Sequence, residues 1–259
     1  MSSGGDNDMT GVEGRVALVT GGGRGIGRVT ADLLASRGAK VVCVARNEQE
    51  LQETGHDYSV ADLGTSEGCA KAVADANQQL GPVDILVCNH GIGSAHEKVV
   101  WEQDPDLWRE TMRINLDGPF YLSKLVLPGM IERQYGRVVF TSSTAGLVAE
   151  HAGSAYNSSK HGLLGLMRSV AIDAGPYGIT SNAVLPGWVR TEMAERSATQ
   201  EAKDRSITTD QVWEQRAALY PPGRVATPEE VAETIAFFAS EESSGVNGEA
   251  VKVALGSVE

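Results

Sequence analysis

Tyr156 and Lys160 stand four residues apart in Ser154–Ala174, a stretch with helical patterning, so their side chains share one face. A phenol with a pKa near ~10 is a poor base at neutral pH. A neighbouring ammonium stabilises the phenolate, and lowering that pKa by ~3 units corresponds to about 4 kcal/mol. The pair can therefore act as a general acid/base centred on Tyr156, giving a proton to a carbonyl oxygen or taking one from an alcohol. The same spacing also occurs in ordinary surface pairs. A β run, Arg137–Thr141, ends just before Ser142 and Ser143, which brings a hydroxyl to the carboxyl edge of a sheet, where ligands bind. There it can hydrogen-bond a substrate oxygen and stabilise developing charge. A third feature is the turn Thr20-Gly21-Gly22-Gly23-Arg24-Gly25-Ile26-Gly27, set between a β run and an amphipathic helix. Glycines there let an anion such as a pyrophosphate approach backbone N–H groups at the positive end of a helix. The spacing is T-G-x-x-x-G-x-G, because Ile26 occupies the last position that G-x-G-x-x-G requires.

These residues need a scaffold, and the pattern of apolar residues predicts one. Short β runs fall at Arg15–Thr20, Lys40–Val44, Asp57–Val60, Asp84–Cys88, Arg137–Thr141, Ile179–Val184 and Ala250–Val253. Helical patterns fall at Gly25–Ser36, Gly64–Leu80, Asp106–Arg133, Ser154–Ala174 and Pro228–Ser240. Strands alternating with helices imply βαβ crossovers and a parallel sheet covered on both faces. The near-continuous apolar strands fit that burial. The segment from Arg46 to Asp62 is short, so its connecting helix is truncated. We expect a tail over residues 1–12 that is disordered, and one α/β domain over 13–259.

Composition narrows the possibilities. The 259 residues include 22 Lys plus Arg against 34 Asp plus Glu, a formal charge of −12. That balance argues against nucleic-acid and anionic-membrane partners, whose phosphates attract Lys and Arg. A hydrophobic content of 41% is too high for a disordered chain, and no apolar run of ~18 residues predicts a membrane span. Glycine, at 30 residues, points to tight turns or close backbone approach to a ligand. Cys43, Cys69 and Cys88 form no disulfide framework, which fits a reducing cytoplasm. Met1–Thr10 has neither the basic nor the apolar region of a signal peptide. His96-Glu97 opens an H-E-x-x pattern, but Val100 stands where the second His of a zinc site belongs, and the five His are dispersed. No metal site is expected.

From about Arg15 to Gly256 the chain resembles the short-chain dehydrogenase/reductase family. The resemblance rests on the glycine turn, Asp62-Leu63, Cys88-Asn89-His90-Gly91, Asn115 in R-I-N-L, Ser143, the Y-x-x-x-K of Tyr156 and Lys160, and Pro186-Gly187-Trp188-Val189-Arg190-Thr191, all in order. It implies a doubly wound Rossmann fold of about seven parallel strands flanked by helices on both faces. It also implies direct hydride transfer between nicotinamide C4 and a substrate carbon. Ser143, thirteen residues before Tyr156, becomes the expected catalytic serine, and Asn115 the holder of a water that relays protons to Lys160, with a buried Asn at a helix kink as the plainer reading. Lys160 would also bond the cofactor ribose. The expected cofactor contacts are Gly21, Arg24, Gly25, Ile26, Gly27, Arg46, Asp62, Leu63, Asn89, Gly91, Tyr156, Lys160, Pro186, Gly187, Val189 and Thr191. Cys88 and His90 replace Asn and Ala of the family turn N-N-A-G, and Val253-Ala254-Leu255-Gly256 departs from a frequent V-D-G-G.

The second β run ends in Ala45-Arg46, where readers of NAD usually carry an Asp or Glu for the ribose 2′-hydroxyl. A small residue followed by Arg accommodates a 2′-phosphate of roughly −2 charge instead, so NADP(H) is expected ahead of NAD(H). Residues 192–222 correspond to the family's substrate lid. Trp188 and Met193, with Ser143, are expected at the substrate, and Leu147 and Val148 follow the serine. An apolar cleft with few fixed charges favours a secondary alcohol or ketone with a hydrophobic body. Reduction of a 3-oxoacyl thioester on an acidic carrier protein ranks second, because only Arg133, Arg137 and Arg168 form a thin basic patch. A non-catalytic dinucleotide sensor on the same fold ranks third, since Tyr156 and Lys160 are both present. A homotetramer follows from the resemblance.

Overall fold

The apolar β runs pair side by side, and all but the two at the sheet edges are largely buried on both faces. In the computed structural model, which describes residues 11–94 and 96–257, they form β1 (Val16–Thr20), β2 (Lys40–Ala45), β3 (Asp57–Val60), β4 (Ile85–Cys88), β5 (Gly136–Thr141), β6 (Ile179–Pro186) and β7 (Ala250–Val253). All seven are parallel, in the order β3-β2-β1-β4-β5-β6-β7. The order reverses between β1 and β4, which opens a crevice at their carboxyl ends, where ligands bind in such sheets.

The helices are α1 (Gly25–Ser36), α2 (Glu48–Gln52), α3 (Ser66–Gln79), α4 (Pro105–Met112), α5 (Gly118–Arg133), α6 (Ser154–Ala174), α7 (Glu192–Arg205), α8 (Thr209–Ala218) and α9 (Pro228–Ala239). The two-residue side-chain period of the strands sorts the core into two layers. Leu18, Val42, Leu86, Val138 and Phe140 face α3, α5 and α6. Ala17, Val19, Cys43, Ile85, Val87 and Val139 face α1 and α9. All three cysteines are free and buried, and burial pushes the Cys43 and Cys69 thiols up to about 12.

Several expectations are corrected. Residues 1–10 of the expected tail lie outside the described residues, and its last member does not behave as tail: Val12 is 1% exposed, in the layer between the sheet and α1 and α9. The helix expected over Asp106–Arg133 is interrupted by a π-helical turn, Arg113–Asp117. Two contacts impose that turn. Asn115 bonds a separate loop, and Gly118 lies so close to Leu63 that an added Cβ would come within 2.2 Å of its carbonyl oxygen. In residues 192–222, α7 and α8 are held by a small core of their own, with Ala198, Val212 and Trp213 buried. The Thr208–Gln211 capping box was the sequence signal for α8. Arg137 does not belong to a basic surface patch. It is buried and donates to the carbonyls of Ser240, Gly136 and Gly178.

Gly27 seats α1 against the turn. A Cβ there would stand 2.2 Å from the Gly21 carbonyl oxygen and 2.5 Å from Asn89 Nδ2. Both neighbours are fixed, so Gly27→Ala is expected to cost at least ~2 kcal/mol of overpacking. Urea denaturation of the variant beside the parent measures this.

Candidate active site

Thr20, the last residue of β1, ties the crevice together. Its hydroxyl donates to the Val87 carbonyl at 3.0 Å and accepts from the Asn89 and His90 N–H groups at 2.9 and 3.2 Å. His90 Nδ1 lies 2.8 Å from the same oxygen. Burial, followed by the charge of Lys160, lowers the His90 pKa to about 3, so the ring is neutral. Asn89 Nδ2 donates to the Thr20 carbonyl at 3.1 Å.

The glycine turn follows Thr20. Gly21 and Gly25 have φ of +65° and +55°, the left-handed region that favours glycine. The N–H of Gly21 donates to the Val44 carbonyl at 2.7 Å. Most helices here spend their first N–H groups on local caps: Thr65, Thr191, Thr208 and Thr227 cap α3, α7, α8 and α9. Helix α1 does not. Arg24 at its cap position supplies no acceptor, and the first turn holds no acidic residue. The amino end of α1 therefore presents unsatisfied N–H groups and the positive end of the helix dipole, which suits an anion. This fits the pyrophosphate of a dinucleotide, with Gly21, Gly25, Ile26 and Gly27 forming the cradle. Arg24 is already shared by Glu50 (3.2 Å) and Glu192 (3.4 Å). Arg46 stands exposed at the end of β2.

Asp62 accepts from the Gly64 N–H at 3.1 Å and from Arg113 at 3.0 Å. Burial raises its pKa, but these bonds and the charges of Arg113 and Arg46 outweigh burial and hold it below the usual carboxylate value. Leu63 beside it is buried. Arg113 was absent from the expected site, and no local pattern marks it, because its partner lies 51 residues away.

The reacting groups meet at the ends of β4 and β5. Lys160 is 5% exposed, and its Nζ donates to the Thr141 carbonyl at 3.0 Å. Burial lowers its pKa to about 8. The Ser142 hydroxyl donates to the Lys160 carbonyl at 3.1 Å, whereas the Ser143 hydroxyl accepts from the Ala145 N–H at 3.1 Å and faces the Tyr156 phenol, whose ionisation it favours. Geometry thus separates the two serines. Asn115 is 1% exposed in the π turn. It accepts from the Ile92 N–H at 2.8 Å, and its amide donates to the Ile92 carbonyl at 2.9 Å and to Ser159 Oγ at 3.2 Å. Gly91 lies where an added Cβ would be 3.1 Å from Asn115 Oδ1 and 3.7 Å from Lys160 Nζ.

One expectation about charge is reversed. Among the chain's own groups the Tyr156 pKa is raised, not lowered, despite the nearby Lys160. Burial raises it to about 12; the Ser143 hydroxyl opposes this, while the charges of Glu150 and Glu97 add to it. The ammonium is committed to Thr141 and lies 5.6 Å from the phenol ring centroid. Tyr156 is consequently held as the neutral phenol, the form that donates a proton.

At the carboxyl end of β6, Pro186 is the last strand residue. The Gly187 N–H donates to Val253 at 3.2 Å, and the Trp188 N–H donates to the Tyr220 hydroxyl at 2.7 Å. Val189 is buried, and Thr191 caps α7. Met193 is exposed opposite Gly93. Arg216 was not anticipated. It is 5% exposed, lies 3.6 Å over the Trp188 ring and 5.1 Å over Trp213, and donates to the Ala194 carbonyl, Ser197 Oγ and Glu201. It couples α7 and α8 to Trp188.

A crevice of this kind, with a phosphate-ready helix end and a Ser–Tyr–Lys group at one sheet edge, defines a nicotinamide-dependent oxidoreductase. The family described as Enoyl-(Acyl carrier protein) reductase matches residues 21–257. The 3-oxoacyl-(acyl-carrier-protein) reductase of Vibrio cholerae is 35% identical over 251 residues, covering 93% of this chain and 96% of that protein. Levodione reductase superposes with a TM-score of 0.90 at 31% identity, covering 94% of this chain and 97% of that one. Actinorhodin polyketide ketoreductase, solved with NADPH, gives 0.88 at 34% identity, covering 93% and 96%. The chain belongs to the short-chain dehydrogenase/reductase family. It is an NAD(P)-dependent oxidoreductase acting on ketones and alcohols.

The planar Arg216 fork cannot be reproduced by an ammonium. Arg216→Lys is expected to cost about 1–2 kcal/mol through lost stacking and hydrogen bonds, and to hasten proteolysis within residues 192–218. Thermal unfolding with tryptophan fluorescence, together with limited trypsin digestion, reads both effects.

Proposed function

We propose that the chain reduces a neutral, largely apolar ketone with NADPH, and oxidises the corresponding secondary alcohol, using Tyr156 as the proton donor and acceptor. The observation that carries this reading is the placement of Tyr156 beside Ser143 and the buried Lys160, whose Nζ lies 5.6 Å from the phenol ring centroid. In reduction Tyr156 gives its proton to the carbonyl oxygen, which Ser143 holds and whose developing charge it stabilises. Lys160 supplies positive charge close to the phenolate that remains, and its ammonium is the group available to the ribose hydroxyls. Asn115 keeps the Ile92 backbone and α6 in register, so that Gly91 and Lys160 stay adjacent. When bound, the cofactor supplies hydride at nicotinamide C4 and, once oxidised, a positive charge that favours the phenolate.

Gly21, Gly25, Ile26 and Gly27 would hold the pyrophosphate, Asp62, Leu63, Asn89 and Gly91 the adenosine side, and Pro186, Gly187, Val189 and Thr191 the nicotinamide side. Preference for NADP(H) rests on Ala45 and Arg46, because Arg24 is already shared by two carboxylates; NAD(H) is the alternative cofactor. Trp188, Met193, Leu147 and Val148 offer apolar surface to the substrate, and α7–α8 serves as its lid. The similarity to a 3-oxoacyl-(acyl-carrier-protein) reductase favours a 3-oxoacyl thioester as a second reading. Burial of Arg137 removes part of the basic surface that an acidic carrier would use, and this ranks it below a free ketone. Exposed Trp108, Phe120 and Leu125 on α4 and α5, and Ile172 on α6, support pairing into a homotetramer. Three buried free thiols support a reducing cytoplasm. The site calls for a small molecule, not a nucleic acid or a membrane.

The reading is tested by following absorbance of NADPH and NADH with ethyl acetoacetate, cyclohexane-1,4-dione, a 3-ketosteroid and acetoacetyl-CoA. Faster saturation kinetics with the thioester than with the simple ketones would reverse the ranking. Tyr156→Phe is expected to lose ~10²–10⁴-fold in kcat while binding NADPH as the parent does, measured by nucleotide fluorescence; retained turnover would overturn the mechanism. For the cofactor, Arg46→Asp is expected to lower kcat/KM for NADPH by at least ~10-fold, the equivalent of about 1.4 kcal/mol, and to spare NADH. Unchanged NADPH kinetics in that variant would refute the assignment.

A further inference from the structure

Glu97 lies in the loop between β4 and α4, in a stretch whose sequence reads only as a broken metal motif. Helix α6 begins with Gly153 at its cap position, has no capping side chain of its own and has no acid in its first turn. Its first N–H groups therefore need acceptors from elsewhere. Glu97 provides them across 58 and 59 residues of sequence. One carboxylate oxygen accepts from the Ala155 N–H at 2.7 Å, and the other from the N–H of Tyr156 itself at 2.8 Å. The loop is fastened a second time where Asn115 bonds both backbone groups of Ile92. An anion at a helix amino end is also stabilised by the dipole.

We propose that Glu97 is a positioning residue for Tyr156, a remote carboxylate cap that fixes the first turn of α6 and so sets where the phenol stands and how readily it ionises. This rests on the reading of Tyr156 as the proton donor. The charged groups facing the phenol are Glu97 from this loop, Glu150 from the segment before α6, and Lys160 from α6. Burial raises the Glu97 pKa and the two N–H bonds oppose that rise. As an anion, Glu97 disfavours a second negative charge on the phenol and keeps it protonated. Removing the charge therefore lowers the phenol pKa, and shortening the side chain disturbs the geometry without removing the charge.

Two variants of the full chain separate these effects. Oxidation of ethyl 3-hydroxybutyrate by NADP⁺, whose positive charge favours the phenolate and so brings its ionisation back towards the ordinary phenol pKa, is followed from about pH 6 to about pH 11. Its rate rises with pH as Tyr156 ionises. Glu97→Gln is expected to move the midpoint of that rise down by about half a pH unit. Glu97→Asp is expected to keep the parent midpoint and lose about tenfold in kcat through misplacement of the phenol, with KM for NADP⁺ within about twofold. An unchanged midpoint in Glu97→Gln, or parent kcat in Glu97→Asp, overturns the proposal. Should circular dichroism show that Glu97→Gln does not fold, the kcat of Glu97→Asp decides. If the parent protein turns over neither this pair nor any ketone of the panel, the reading of Tyr156 fails and the inference falls with it.

Discussion

All seven strands run in the same direction, and this constraint places the chemistry. Every strand delivers its carboxyl end to one edge, so Thr20, Asn89, Ser143 and Gly187 arrive there from four different strands. The crevice between β1 and β4 is then closed by a single hydroxyl. Thr20 Oγ1 binds Val87, Asn89 and His90 together, in a place where water would otherwise compete for those groups. The glycine turn, the His90 ring and the approach to Lys160 all take their positions from that junction.

The treatment of helix ends divides the site into two electrostatic halves. At α1 the amino end is left without a side-chain acceptor, so its dipole remains available to an anion. At α6 the amino end is satisfied by a carboxylate from another part of the chain, so it offers no second anion site next to the phenol. The chain as a whole carries −12, and an anionic cofactor would be held by local backbone N–H groups and arginines against that global sign. Burial then pushes the two reacting groups in opposite directions, Tyr156 up and Lys160 down. Both shifts favour the neutral forms, but a Lys160 pKa of about 8 leaves the ammonium charged at neutral pH, while Tyr156 keeps its proton.

Much of the fold was legible because it rests on local periodicity. The bounds of α1, α6, β3 and β7 agree with those read from the pattern of apolar residues, and the short α2 follows from the length of its connection. The π turn was not legible. R-I-N-L has ordinary helical patterning, and only the contacts of Asn115 and Gly118 with distant backbone break it. Helices α7 and α8 carry weak apolar stripes, and Arg216 stacked against Trp188 and Trp213 ties them together, a contact that sequence spacing does not reveal.

The sequence by itself determined the seven strands, helices α1, α3, α6 and α9, the glycine turn and the Tyr156–Lys160 pair, since each depends on residues within one turn or one strand of each other. Only the tertiary structure decided that Ser142 is spent on the Lys160 carbonyl, that Arg137 is buried, that Glu97 caps the helix of Tyr156, and that the phenol pKa rises instead of falling. These outcomes depend on contacts between residues far apart in the chain and on the water that folding removes. Burial disfavours charge on both Tyr156 and Lys160, a cost that four-residue spacing does not contain.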